Sequence, residues 1–159
     1  MNETRPAEII VRKADTAHVE AIAAFNVAMA KETEERELDA ERVRRGVAAV
    51  MANRQLGFYL VAEREGEVCG CLMITNEWSD WRNGQFWWIQ SVYVTPRHRG
   101  FGVYRKLYQE VMRRALDDGS VCGVRLYVER ANTVAQQVYR KLGMHESGYL
   151  VYESPLPAQ

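Results

Sequence analysis

The 159-residue chain has no excess of charge of either sign, because 21 basic and 21 acidic residues cancel. Nothing in that balance suggests a nucleic-acid binder, and no nucleic-acid partner is expected. Long apolar runs are missing as well. The apolar stretch Trp87 to Val94 is cut by Gln90 and is far shorter than a membrane span, so no membrane partner is expected. Met1 to Glu8 is polar, without the apolar segment of a signal peptide, and this points to a cytoplasmic protein. Cysteine is scarce, with three residues in no metal-ligand spacing. Cys69 and Cys71 stand two apart in a strand-like run, share a face and cannot easily bridge. The cysteines read as small apolar fillers in a reducing compartment, and no metal is expected. His18, His98 and His145 are scattered, outside any metal or triad pattern, and read as surface or loop residues. Repeats, low-complexity tracts and linkers are absent, so residues 1–159 are expected to form a single domain, loose at about 1–7 and 154–159.

Against these absences stand regular elements. Ile9-Ile10-Val11 reads as a strand, and Asp15 as the cap of a helix from about Thr16 to Lys31. After the acidic link Glu32 to Glu37, a second helix runs from Leu38-Asp39 to about Met51. Strands at Gly57–Ala62 and Val68–Thr75 form a hairpin across Glu65-Gly66, and Asn83-Gly84 turns into a third, Phe86 to Val94. From Val103, apolar residues at helical spacing (Tyr104, Leu107, Tyr108, Val111, Met112, Ala115) predict a helix to about Asp118. Val124–Val128 reads as a buried strand, Asn132 as the cap of a helix over Thr133–Leu142, and Tyr149–Tyr152 as a last strand. The order β-α-α-β-β-β-α-β-α-β implies an α/β (α+β) fold, a mixed, mostly antiparallel sheet with helices on both faces.

Arg99-Gly100-Phe101-Gly102 lies between that apolar strand and the helix from Val103. A strand entering a helix through glycines leaves backbone N–H groups free at the helix start, where the dipole also favours an anion. No Lys-Ser/Thr pair follows Gly102, as a P-loop needs, and the third glycine of a dinucleotide fingerprint is missing.

Val92-Tyr93-Val94-Thr95-Pro96-Arg97-His98-Arg99-Gly100-Phe101-Gly102 resembles the acetyl-CoA signature of the GNAT acetyltransferases, and Asn132, Ala135, Tyr139 and Leu142-Gly143-Met144 resemble that family's second motif. With the element order, the resemblance spans Ile9 to Tyr152. It implies an N-acetyltransferase with acetyl-CoA as cosubstrate. Backbone amides of Arg99, Gly100, Phe101, Gly102, Val103 and Tyr104 would hold the CoA pyrophosphate. Val92 and Val94 would pair with the pantetheine arm like an added strand, and Asn132 would serve as helix cap and CoA contact. The Val92 N–H would be the oxyanion donor, and Tyr139 the general acid for the departing thiolate, where helical position alone reads it as a core tyrosine. Tyr104 replaces the family's usual Gly or Ala, and its place in the apolar stripe favours an inward ring.

The family's customary glutamate, four residues before Val92, is here Trp88. Glu77, Asp80, Glu32 and Glu34 are the replacement candidates, and each also reads as a surface carboxylate. All four tryptophans fall within eleven residues, Trp78 to Trp88. They read equally as a dimer contact and as an acceptor pocket built from Trp78, Trp81, Trp88 and Gln90. Beside the acidic link such walls would suit a small cationic amine. The rival readings are a catalytically inactive CoA-binding sensor, a protein or peptide N-terminal acetyltransferase, and a nucleotide-binding regulator.

Overall fold

A computed structural model describes residues 7–157. Residues through Leu126 form one compact unit and those from Tyr127 another. The first unit carries β1 (Ile9–Lys13), α1 (Val19–Glu34), α2 (Ala40–Ala52), β2 (Phe58–Arg64), β3 (Glu67–Ser79), β4 (Gly84–Val94), α3 (Val103–Asp117) and β5 (Val121–Arg125). The second carries α4 (Thr133–Lys141).

The five strands pair in sequence order, antiparallel from β1 to β4 and parallel between β4 and β5. Alternation along the strands sorts the side chains onto two faces. Tyr59, Val61, Cys71 and Tyr93 form a core with Val19, Ile22 and Ala23 of α1 and Val47 and Val50 of α2. On the reverse face Leu60, Leu72 and Ile74 are fully buried, as are Leu107 and Val111 of α3, which packs across β1, β2 and β3. Helices α1, α2 and α3 thus each turn one apolar stripe to the sheet, as their periodicity requires. Among the described residues no helix is long and apolar enough to cross a membrane.

Several expectations need correction. Helix α1 runs on to Glu34 and takes in the start of the acidic link, ending only where Glu35 turns left-handed (φ 51°). The fifth strand is Val121–Arg125 instead of Val124–Val128, and Tyr149–Tyr152 makes no ladder. Four consecutive apolar residues suit a strand covered on both faces; here Tyr149 to Tyr152 are 63–89% exposed. His18 and His98 are buried, not surface residues. His18 closes a capping box, its Nδ1 accepting from the Asp15 N–H (3.1 Å) while Asp15 caps the turn before α1. His98 Nδ1 lies 2.7 Å from the Thr95 hydroxyl, pinning the turn that leaves β4. Cys69 and Cys71 are buried fillers, whereas Cys122 is exposed. Of the expected loose ends, residues 1–6, 158 and 159 lie outside the described residues.

Candidate functional site

Strand β4 has two partners over part of its length only. Gln85 to Trp88 pair with β5, which then ends at Arg125, while β3 follows β4 up to Val94. From Ile89 onward the β5 side of β4 makes no ladder among the described residues, and its edge offers main-chain donors and acceptors to an extended ligand.

Halfway along that open edge the strand bulges. Gln90 faces Met73 and Tyr93 faces Cys71, so Ser91 and Val92 together oppose Leu72. Ser91 takes a left-handed φ of 49°, the strained conformation expected of the extra residue. The Cys71 thiol donates to the Ser91 carbonyl (3.8 Å), and the Tyr59 hydroxyl, hydrogen-bonded to the Ser91 side chain, also accepts from Asn26 of α1 (3.4 Å). Burial pushes Tyr59 above its ordinary value and the Cys71 thiol up to about 12. Both are neutral supports, so the bulge that sets Val92 is held by uncharged groups.

Beyond β4 the chain turns through Pro96–His98 into the loop. Gly100 and Gly102 both have φ 82°, and a Cβ at either would meet nothing within 4 Å. Gly102 caps α3 without any side-chain hydrogen bond, so no cap side chain takes the first amides of α3. Phe101 is exposed on the flank under the Arg64 guanidinium, 4.2 Å from its ring centre. Val103 is buried. The Tyr104 ring lies against Tyr108 (6.4 Å) with its oxygen shut off from solvent, on the packed side of α3. Arg99 bends back: its Nε donates to the Val94 carbonyl (3.0 Å) and its Nη2 to Glu32 (2.6 Å), over the Tyr93 ring.

The carboxylate candidates are engaged and do not converge. Glu32 also accepts from the Tyr93 hydroxyl (2.9 Å), and the Arg99 hydrogen bond, with that of Tyr93, holds its carboxyl below the usual range. Glu77 accepts from Arg125 (2.8 Å) and the Trp88 indole (3.3 Å). Glu34 lies 3.8 Å from Arg36, and Asp80 accepts from the Trp81 N–H.

The tryptophans separate too. Trp78 pairs with Gln85 and so shares the reverse face with Trp87, which is buried edge-on against Phe58 (5.2 Å). Trp88 and Gln90 face the α1/α2 side, and Trp81 is 88% exposed at the turn. On the Trp88 side a polar strip leads to the bulge, with Gln90 donating to Thr75 (2.7 Å). Sequence reading missed Asn26, Tyr59, Ser91, Thr75 and Arg125 in this strip. Its only local signal was the polar break Gln90-Ser91 in an apolar strand.

In the second unit Asn132 caps α4 by accepting from the Ala135 N–H (3.0 Å). Burial pushes Tyr139 above its ordinary value, which keeps its hydroxyl protonated at neutral pH. Gly143, left-handed at φ 88°, ends the helix, and the Met144 N–H returns to the Tyr139 carbonyl. Among the described residues no cluster of His, Cys, Asp or Glu is arranged to hold a metal ion.

The family model that matches is the acetyltransferase (GNAT) family, over residues 19–144. No curated protein matches the chain. Among solved structures, a possible acetyltransferase of Clostridium difficile 630 is 39% identical over 94% of this chain and 99% of its own, with a TM-score of 0.89. An aminoglycoside N-acetyltransferase, AAC(6')-Iy in complex with CoA, is 15% identical over 96% and 97%, with a TM-score of 0.77. A predicted acetyltransferase of Clostridium acetobutylicum solved with acetyl-CoA is 17% identical over 92% and 96%, with a TM-score of 0.73. The last two share the fold with this chain.

Proposed function

The chain belongs to the acetyltransferase (GNAT) family, and from that membership we propose that it moves an acetyl group from acetyl-CoA to a primary amine by direct attack. The observation that carries this reading is the open β4 edge from Ile89 to Val94, which runs into the uncapped start of α3 through two left-handed glycines. A pantetheine arm fits such an edge as an added strand, and a pyrophosphate suits the uncapped amides of Gly100 to Tyr104. Acetyltransferases of the same fold solved with CoA and acetyl-CoA support that donor. The Tyr104 ring, lying against Tyr108 with its oxygen enclosed, agrees with the inward placement expected of it.

In the proposed reaction the amine nitrogen attacks the thioester carbon, the carbonyl oxygen leans on the Val92 N–H, and the C–S bond breaks as the tetrahedral species collapses. A preorganised donor of that kind contributes about 3 kcal/mol. The proton lost by the amine passes to solvent, and the departing thiolate takes one from Tyr139. Holding donor and acceptor in line supplies most of the acceleration. We further propose that the chain acts as one acetyltransferase domain in the cytoplasm. In the acidic link invoked for a cationic acceptor, Glu32 is taken by Arg99 and Glu34 lies 3.8 Å from Arg36, so the acceptor is here defined only as a primary amine.

Thiol release from acetyl-CoA with a panel of primary amines tests the reading. The expected result is stoichiometric CoA and N-acetylated product with at least one amine. CoA binding without product from any of them would assign the chain as a sensor instead.

A further inference from the structure

Val92 lies between two neighbours that are both held from α1. On one side Tyr93 packs its ring against Phe25 of α1, with 5.2 Å between centres, and donates its hydroxyl to Glu32 in that helix's last turn (2.9 Å). On the other side stands Ser91, at φ 49°, and α1 reaches it through Tyr59. The Tyr59 hydroxyl bonds to the Ser91 side chain and accepts from Nδ2 of Asn26 (3.4 Å), the residue after Phe25. Tyr59 is 3% exposed, within the core shared by α1 and α2, so packing fixes where that hydroxyl sits. A left-handed residue at a bulge is usually glycine, because a Cβ is strained there. Serine keeps such a conformation only while its surroundings over-determine it. Two ties do so here, the Cys71 thiol on the Ser91 carbonyl (3.8 Å) and the Tyr59 hydroxyl on the Ser91 side chain. A thiol is a weak donor, so the hydroxyl is the stronger tie.

The Val92 N–H and the Ser91 carbonyl share one peptide plane, so whatever fixes Ser91 also fixes the direction of that N–H. We propose that Tyr59 is a positioning residue for acetyl transfer: held by Asn26, it keeps Ser91 left-handed and so aims the Val92 N–H at the acetyl carbonyl. The proposal rests on the amine-acetylation reading and adds to it the side chains that preorganise its oxyanion donor. A donor fixed in advance needs no rearrangement as charge develops on the oxygen, which is the source of its effect. In this role Tyr59 acts through Ser91 and moves no proton.

The test uses Tyr59→Phe in the full-length protein, which keeps the ring and deletes the hydroxyl. It should lower kcat about tenfold, the scale of a slight misplacement at the reacting atoms, while KM for the amine and CoA affinity by calorimetry stay within about twofold. Adding Ser91→Gly to that variant should restore part of kcat, because glycine takes a positive φ without a tie. A second readout needs no turnover. On 15N-labelled protein the Val92 amide resonance should move when CoA is replaced by acetyl-CoA, and Tyr59→Phe should reduce that movement by about half or more. Wild-type kcat with an unchanged Val92 response in Tyr59→Phe would overturn the proposal. So would CoA affinity lost in step with kcat, because the hydroxyl would then support the whole strand edge. An acetyl-dependent Val92 response that Tyr59→Phe diminishes, with no product from any amine, would uphold the positioning and sink the acetylation reading. No such response in the wild type would remove the oxyanion role of Val92, and the proposal with it.

Discussion

Glu32, in the last turn of α1, is ion-paired at 2.6 Å with Arg99, the first residue of the glycine loop that leads into α3. The two are 67 positions apart in sequence, and the same carboxylate also receives the Tyr93 hydroxyl from the strand that delivers the loop. Helix, strand and loop therefore meet at one carboxylate. Arg99 adds a bond to the Val94 carbonyl, so the loop is tied back to the strand it has just left.

Arg99→Gln removes both ties and a positive charge beside the expected phosphate site, and should raise KM for acetyl-CoA about fivefold with kcat little changed. Glu32→Gln keeps an acceptor for Tyr93 and breaks a largely solvated pair, so its effect should stay near twofold, as such pairs contribute little. Steady-state kinetics in acetyl-CoA separates the two. A larger loss for Glu32→Gln than for Arg99→Gln would show that the pair holds α1 and not the loop.

Tyr139→Phe should lower kcat about 100-fold, the scale of a lost general acid, while CoA affinity by calorimetry stays within twofold of wild type. Unchanged turnover would remove the hydroxyl from the chemistry and leave Tyr139 as a partly buried helix residue.

Two glycines with positive φ should respond very differently to alanine. At Gly57 (φ 128°) a Cβ would stand 1.9 Å from the Ile74 carbonyl oxygen, so Gly57→Ala should cost more than about 3 kcal/mol of stability. At Gly102 (φ 82°) the space is open, and Gly102→Ala should cost only about 1 kcal/mol from the backbone alone. Denaturant titration reads both values. Equal losses would contradict the geometry.

On α3, hydrogen bonding from Arg113, joined by Arg114, holds the Glu110 carboxyl at about 2 against an ordinary 4.5. A depressed carboxyl stabilises the fold above its unfolded value, and that contribution is lost as pH falls from about 4.5 to about 2. Glu110→Gln should therefore be less stable than wild type at neutral pH, with the difference vanishing towards pH 2. A difference that persists undiminished in acid would assign the loss to packing.

Only Cys122 should react with a thiol reagent in the native protein, and all three cysteines after denaturation. Cys69 and Cys71 are buried, with thiols pushed up by burial, and the thiolate is the reactive form. Rapid native labelling of more than one thiol would show that the β3 core opens readily.

Much of this architecture was legible in the chain itself, since it rests on local periodicity. The stripe Leu107, Tyr108, Val111, Ala115 became α3, and the turns at Glu65-Gly66 and Asn83-Gly84 became the two hairpins. The glycine loop was equally local: glycines at 100 and 102 adopt left-handed values just before a helix. The histidines could not be read this way, because His18 is buried by a cap it makes itself. The run Tyr149–Tyr152 carried the pattern of a strand without a partner edge among the described residues.

What the residues determined alone is therefore the proposed donor side, which rests on backbone conformation and on main-chain amides within a dozen positions of one another. The acceptor side was decided by tertiary structure. Which face Trp78, Trp87 and Trp88 take, which carboxylates remain available and where Arg125 rests all depend on pairing between strands distant in sequence. A charged side chain acts through what it meets in space, and Glu77 became half of an arginine pair only when β3, β4 and β5 were laid side by side.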